Sequence, residues 1–281
     1  MSRTGVFVLT LLAMTAFAGN SLLCRLALKD THIDAASFTS IRIISGALIL
    51  WLIVRMRGGT HSASGSWLSA LALFLYAGGF SFAYVSLPAG TGALLLFGAV
   101  QVTMIGYGLW AGEQLRKRQA AGFILAFAGL IGLLLPGLSA PPLQGSLLML
   151  GAGIAWGVYS LRGTSSGDAT RNTAGNFLRA VPFAVALSVA RFPWASFDSV
   201  GVWYAIASGA LTSGLGYSIW YTALKGLRTS SAATVQLSVP VIAAVGGMVF
   251  LGEHLMVRFL ITSAAILGGI ALVIVDKRHT I

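Results

Sequence analysis

The side chains of this sequence that could act as acids, bases, nucleophiles or metal ligands are few and stand at the margins of apolar runs. Asp and Glu total 7 and His 4 in 281 residues. Glu113 and Glu253 close apolar runs, while His32, His61, His254 and His279 fall in polar breaks or the tail. A serine protease needs a histidine at the depth of its nucleophile, and a metalloprotease needs clustered His and Glu ligands. Neither arrangement is available, so no enzymatic activity is expected. Cys24 has no second cysteine to pair with and no CxxC frame, so no metal and no cofactor is expected. What does recur is aromatic rings and amides. Tyr76, Phe80 and Tyr84 repeat every four residues, which puts them along one face of a helix. Phe97 and Gln101 are again four apart, Trp156 lies near Tyr159, and Tyr217, Trp220 and Tyr221 form a fourth group. Gln236 and Asn20 lie inside later and earlier apolar runs. Aromatic faces accept flat apolar or cationic groups, and Asn20, Gln101 and Gln236 offer neutral hydrogen bonds. These residues are the candidate lining of a substrate cavity, the competing reading being helix packing and an interfacial aromatic belt. A basic phosphate cradle is missing, so neutral or zwitterionic aromatic solutes fit better than sugar phosphates.

Only a membrane could hold such side chains in this chain. Hydrophobic residues make up 57% and charged residues 9%, against about 25% charged in soluble domains. The 35 glycines sit inside apolar runs, where membrane helices use them as points of close packing. A helix crosses the hydrocarbon core with about 20 apolar residues. The charge-free stretch Gly58 to Gly112 breaks at Leu87-Pro88-Ala89-Gly90 and holds two spans. Gln119 to Leu161 breaks between Leu135 and Pro142 and holds two more. The others are Thr4 to Ala27, Ala36 to Val54, Asn172 to Ala190, Val200 to Leu224, Thr229 to Leu251 and Val257 to Val275. The fold class predicted is all-α and polytopic, with ten transmembrane helices. Arg3 and the small-residue pattern Ala16-Phe17-Ala18 resemble a signal peptide, but the first span is read as a retained helix.

Lys and Arg number 18 against 7 acidic residues, a net charge of +11. In a soluble protein that excess would suggest nucleic acid; here the basic residues are scattered through short gaps, and no nucleic-acid partner is expected. With the N-terminus inside, the cytoplasmic segments hold Arg3, Arg55, Arg57, Arg116, Lys117, Arg118, Arg162, Arg171, Lys225, Arg228, Lys277 and Arg278. The outer segments hold only Arg25, Lys29, Arg191 and Arg258. Positive-inside topology therefore places both termini in the cytoplasm.

The second half echoes the first. Ala111-Gly112-Glu113-Gln114-Leu115 matches Leu251-Gly252-Glu253-His254-Leu255, with Gly129 and Gly269 in register after the matched Glu. Arg42 and Arg179 each lie in the second span of their half, and Tyr84 to Leu87 and Tyr221 to Leu224 share the frame Tyr-x-x-Leu. Two five-span units, 1–138 and 139–281, must face opposite ways because five is odd. Inverted repeats of this kind are a transporter architecture. At these residues, and most specifically at Tyr221 to Lys225, Ser231-Ala-Ala, Pro240, Gly252-Glu253 and Gly268-Gly269, the chain resembles the bacterial drug/metabolite transporter superfamily with EamA-type repeats. Within it the chain is similar to aromatic amino-acid exporters of the YddG type. The first half departs from the pattern, with Val100 where Pro240 would call for proline.

That resemblance implies a multi-pass protein of the bacterial inner membrane, whose partners are a small-molecule substrate and membrane lipid. The substrate it implies is an aromatic or other neutral amino acid, moved by alternating access. A drug or amphiphile efflux carrier, a channel and a scaffold remain alternatives. Asp or Glu is absent from mid-span positions, which favours facilitated diffusion or exchange over proton coupling. Glu113 and Glu253 are expected to tie down turns or to gate, and Pro240 is likewise expected to be structural or gating. Arg42 and Arg179 lie about two turns into their helices, where an arginine either snorkels or bonds a neighbouring helix, or else binds a substrate carboxylate.

Overall fold

The computed structural model describes residues 2–57, 65–112, 116–137, 140–163, 168–227 and 235–276, with side chains to 274. Among these the chain is all helical. Seven long helices come first: α1 (Arg3–Asp30), α2 (Ala35–Met56), α3 (Trp67–Tyr84), α4 (Ala89–Trp110), α5 (Lys117–Leu134), α6 (Leu143–Gly163) and α7 (Ala169–Ala190). A broken helix follows, consisting of α8 (Ser199–Ala207), a π-helical segment (Ser208–Leu215) and α9 (Gly216–Leu224). The last two are α10 (Ser238–Leu251) and α11 (Val257–Asp276). Each expected span contains helix, and 7 helices are long and apolar enough by themselves to cross a membrane.

The helix starts follow from local chemistry. Ser2, Asp34, Ser66, Asp168 and Asp198 each accept an amide of the first turn beyond them, satisfying donors that a helix start leaves open. Pro88 opens α4, where a missing N–H costs no helical bond. At the turn between α10 and α11, Gly252 takes φ 61° and Glu253 N donates back to Gly247 O at 3.0 Å, a left-handed helix closure that favours glycine. Gly112, its counterpart after α4, has φ 93°. Glu113 lies outside the described residues.

Glycine also sets a close helix pair. A Cβ on Gly122 would stand 2.5 Å from Gly269 O, and one on Gly269 would stand 2.5 Å from Gly122 O, so α5 and α11 meet backbone to backbone. The wider packing is regular. α5 lies on α11, α2 on α7 and α4 on α10; α3 meets α6 as the broken helix meets α1; α4 meets α6 as α10 meets α1; α2 meets the broken helix as α7 meets α3. Exchanging each span with the one five places along maps this set of pairs onto itself. Large apolar side chains such as Leu11, Leu48, Ile124, Val189 and Phe250 stay exposed, as a lipid-facing surface requires.

One junction outside the spans carries a pH signature. Asp34 caps α2 through Ala36 N at 2.9 Å and Ser37 N at 3.1 Å, and also accepts Ser196 N at 3.0 Å, tying the α1–α2 turn to the segment before α8. Partial burial pushes its carboxyl up, but hydrogen bonds from the Ser37 side chain and the amides of Ser196, Ser37 and Ala36 outweigh that and hold it below its usual range. A depressed carboxyl stabilises the fold above its unfolded pKa and loses that contribution as pH falls through the folded one. Asp34→Asn is therefore expected to melt below the parent at pH 7, with the gap closing below roughly pH 4; a thermal-melting series from pH 7 to 3 reads this directly.

Candidate functional site

Helices α1, α3, α4, α6, α7, the broken helix and Gln236 enclose a cavity of about 700 Å³, within the size range of small-molecule sites. Its wall includes Asn20, Tyr76, Phe80, Phe97, Gln101, Trp156, Tyr217, Trp220, Tyr221 and Gln236, which thus converge from both halves of the chain. Trp156 is the hub of the aromatic wall. Its ring centroid lies 4.6 Å from that of Tyr76, 5.2 Å from Tyr217 and 5.2 Å from Tyr159. Phe17 closes another side, 5.8 Å from Tyr217 and 6.0 Å from Trp220.

Asn20 is held on both sides of its amide. Its oxygen accepts from Ser208 Oγ at 2.6 Å and Thr212 Oγ1 at 3.1 Å, and its nitrogen donates to Tyr76 OH at 3.4 Å. Ser208 and Thr212 belong to the π-helical segment, so the break in the eighth span places two hydroxyls on one amide. π-Helical turns are rare and concentrate at functional sites. Here Ser208-Gly209 and Ser213-Gly214 supply small side chains that let the segment press on α2. The span expected over Val200 to Leu224 is helical throughout, from Ser199 to Leu224; the π-helical character of its middle is the feature the sequence reading did not foresee.

Tyr84 and Tyr159 do not line the cavity. Tyr84 is fully buried beyond its closed end, packed on Gly92 with its hydroxyl donating to Ala89 O at 3.2 Å. Tyr159 stands behind Trp156 and accepts from Asn176 Nδ2 at 3.4 Å. Both share a helical face with lining residues, but the buried core extends past the cavity in those directions. Arg42 neither snorkels nor reaches the wall. It is 2% exposed, donates from Nη2 to Tyr76 OH at 3.0 Å and from Nε to Ser213 Oγ at 3.4 Å, and lies over the Phe80 ring at 4.8 Å. Arg179 Nη1 donates to Gly175 O at 3.1 Å, in its own helix. Pro240 is the third residue of α10 and buried, where no intrahelical N–H is lost.

The two ends of the cavity differ. One end is a mouth lined by Arg57, Asp168, Thr170 and Lys225, with Arg57 donating to Thr170 Oγ1 at 3.5 Å and Ser218 Oγ at 3.4 Å. The other end is closed. There Glu253 accepts from Arg25 Nε at 3.3 Å and Ala89 N at 2.8 Å, Arg25 Nη1 donates to Tyr84 O and Val85 O at 2.9 Å, and Lys29 Nζ donates to Leu251 O at 2.9 Å. One cluster thus bolts α1 to the α3–α4 and α10–α11 turns. Sequence reasoning missed Phe17, Thr212, Arg57 and Asp168 as lining residues and Arg25 as the partner of Glu253. An arginine four residues before Lys29 near the end of the first span was the available signal, without a way to see what it faces.

Known proteins sharpen this picture. The model of the EamA-like transporter family matches twice, over residues 4–135 and 143–275. An uncharacterized protein of Pseudomonas aeruginosa is 56% identical over 96% of this chain and 94% of its own length. An uncharacterized transporter of Archaeoglobus fulgidus is 28% identical over 88% of this chain and 89% of its own. The threonine/homoserine exporter RhtA of Escherichia coli K12 is 33% identical over 54% of this chain and 54% of its own. A crystal structure of 19% identity superposes with TM-score 0.69 over 97% of this chain and 99% of its own, which is a likeness of fold.

Proposed function

This chain belongs to the EamA-like transporter family, and on that premise we propose that it is a carrier of neutral and aromatic amino acids in the bacterial inner membrane, working by alternating access. The observation that carries the proposal is the convergence of Asn20, Tyr76, Gln101, Trp156, Tyr217 and Gln236 on one cavity of about 700 Å³, with the Arg25–Glu253–Ala89 cluster beyond its far end. A carrier needs a site with one closed and one open access, and two equivalent halves to exchange them. The packing pattern that survives a five-span exchange supports two inverted units, divided near 138/139. The threonine/homoserine exporters among its relatives support amino acids as the class; the aromatic wall extends that class to larger side chains. Basic residues at the mouth, Arg57 and Lys225, favour a cytoplasmic opening and cytoplasmic termini. Glu253 would then lie at the outer face, and no proton site is needed for exchange.

The test is uptake into proteoliposomes preloaded with unlabelled substrate. Trp156→Ala is expected to weaken phenylalanine or tryptophan by about 0.5–1.5 kcal/mol beyond area effects and to leave threonine or alanine less affected. Gln101→Leu or Gln236→Leu should weaken both classes together, by about 1 kcal/mol for a lost hydrogen bond. Equal losses for both classes in the Trp156 variant would remove the aromatic specificity. Preloading without effect on uptake would indicate a channel, and no flux a scaffold.

A further inference from the structure

Arg42 is built into the molecule at a cost that packing does not explain. Its guanidinium is always charged and carries five donors, yet it is 2% exposed and its Nη1 has no hydrogen-bond partner. Among the described residues the ion pairs are Arg25 with Glu253 and Arg171 with Asp168, so no carboxylate answers Arg42. The groups that do touch it are neutral: the Tyr76 hydroxyl at 3.0 Å, the Ser213 hydroxyl at 3.4 Å, and the rings of Phe80 and Tyr76 at 4.8 and 5.2 Å. A buried cation left without an anion and with an open donor is strongly disfavoured in a membrane interior. The position is nevertheless fixed from both sides. Gly209 lets the π-helical segment rest on the Arg42 carbonyl, and Gly46 leaves room for Phe177, a Cβ there standing 2.6 Å from Phe177 Cε1.

The guanidinium lies one side chain behind the cavity. Tyr76 and Phe80, the two rings on which the guanidinium rests, are themselves wall residues. Among the described residues no acidic side chain pairs with it. We propose that Arg42 is the carboxylate receptor of this cavity: the missing anion is supplied by the substrate, whose carboxylate takes the open Nη1 donor as the Tyr76 and Phe80 rings part to admit it. The inference rests on the carrier reading above and narrows it. Solutes bearing a carboxylate are bound, whether zwitterionic or anionic, and the same side chains presented on an amide or an amine are not. Asn20 and Tyr76, which share a hydrogen bond, hold the wall against which that group is received.

Ligand-induced thermal stabilisation of the purified full-length protein tests this with four probes: phenylalanine, phenylpropionate, phenylalaninamide and phenethylamine. The parent protein is expected to be stabilised by the first two and to bind the last two about tenfold or more weaker, the usual loss for a hydrogen bond to a charged group. Arg42→Met is expected to lower affinity for phenylalanine by a similar factor and to erase its preference over phenylalaninamide. Arg42→Lys, which keeps the charge without the planar fork, should retain part of that preference; it also serves if the Met variant does not fold. A structural role alone would lower melting temperature and leave the preference unchanged. Equal binding of phenylalanine and phenylalaninamide by the parent, or a preference that survives in the variants, overturns the inference while the carrier reading stands. Binding of none of the four by the parent, with aliphatic amino acids also inert, overturns the amino-acid reading and the inference with it.

Discussion

Gly209→Ala is expected to prevent accumulation of folded protein. The added Cβ would overlap the Ser45 Oγ and the Arg42 backbone carbonyl oxygen, and would lie 2.8 Å from the Arg42 carbonyl carbon. A side-chain tip can swing away; a helix backbone cannot, so α2 and the π-helical segment must separate along their contact. Inserting a methyl into a tight interface costs typically 1–3 kcal/mol, and with backbone as the obstacle about 3 kcal/mol or more is expected, a large share of a total stability of about 5–15 kcal/mol. The separation would also pull Ser208 and Thr212 from Asn20 and Ser213 from Arg42. Gly78→Ala is the control. It is buried with nothing within 4 Å of its Cβ position, and alanine is the better helix former by about 1 kcal/mol. Monodisperse yield and melting temperature should fall sharply for the first variant and hold or rise for the second.

Glu253→Ala is expected to unlatch the closed end of the cavity. The carboxylate joins α1, through Arg25, to the start of α4, through Ala89 N, and its removal frees the α10–α11 turn from α4 and leaves Lys29 to Leu251 O as the remaining bond of this cluster between that turn and α1. Hydrogen bonds to charged groups contribute about 1.5–3 kcal/mol. If that energy favours the conformation closed at this end, its loss shifts the balance of the two access states by roughly 10–100-fold. Arg25 keeps the Tyr84 and Val85 carbonyls, so the helix should remain folded and the change should show in access rather than yield. Arg25→Ala should act in the same direction, and the double variant should fall short of the sum of the two, because both remove the Arg25–Glu253 bond. A loss of melting temperature with no change in access would make Glu253 a structural tie only.

Much of the architecture was legible because membrane helices announce themselves by length and charge. The breaks at Pro88 and Pro136 fall between helices as composition demands, and the repeated Gly-Glu after an apolar run marks two positive-φ turns, at Gly112 and Gly252. Most of the residues that spacing singled out do reach the cavity wall, since rings four residues apart on α3 must share a face. What it did not reveal is how far that face runs. Tyr76 and Phe80 meet the cavity, while Tyr84, one turn further, meets the α4 start. Arg42 looked close enough to an interface to snorkel because sequence counts turns from a helix start and says nothing of rotation about the axis. Its enclosure depends on Gly46 and Gly209 bringing two distant segments together. The π-helical turn is likewise set by contact between α2 and the eighth span, for which the run of small residues was a hint without a partner.

Sidedness of access to the cavity tests the carrier mechanism most directly. Met104 lines the cavity and Cys24 is fully buried, so Met104→Cys on a Cys24→Ala background gives one reporter thiol. An impermeant thiol reagent is applied to inside-out and right-side-out vesicles, with and without phenylalanine or threonine. The expected result is fast labelling from the cytoplasmic face of the empty protein, slowed by substrate, and labelling from the outer face that becomes appreciable only when Glu253→Ala is added. Equal labelling from both faces of the parent, or labelling that no amino acid slows, would contradict a substrate cavity of alternating access.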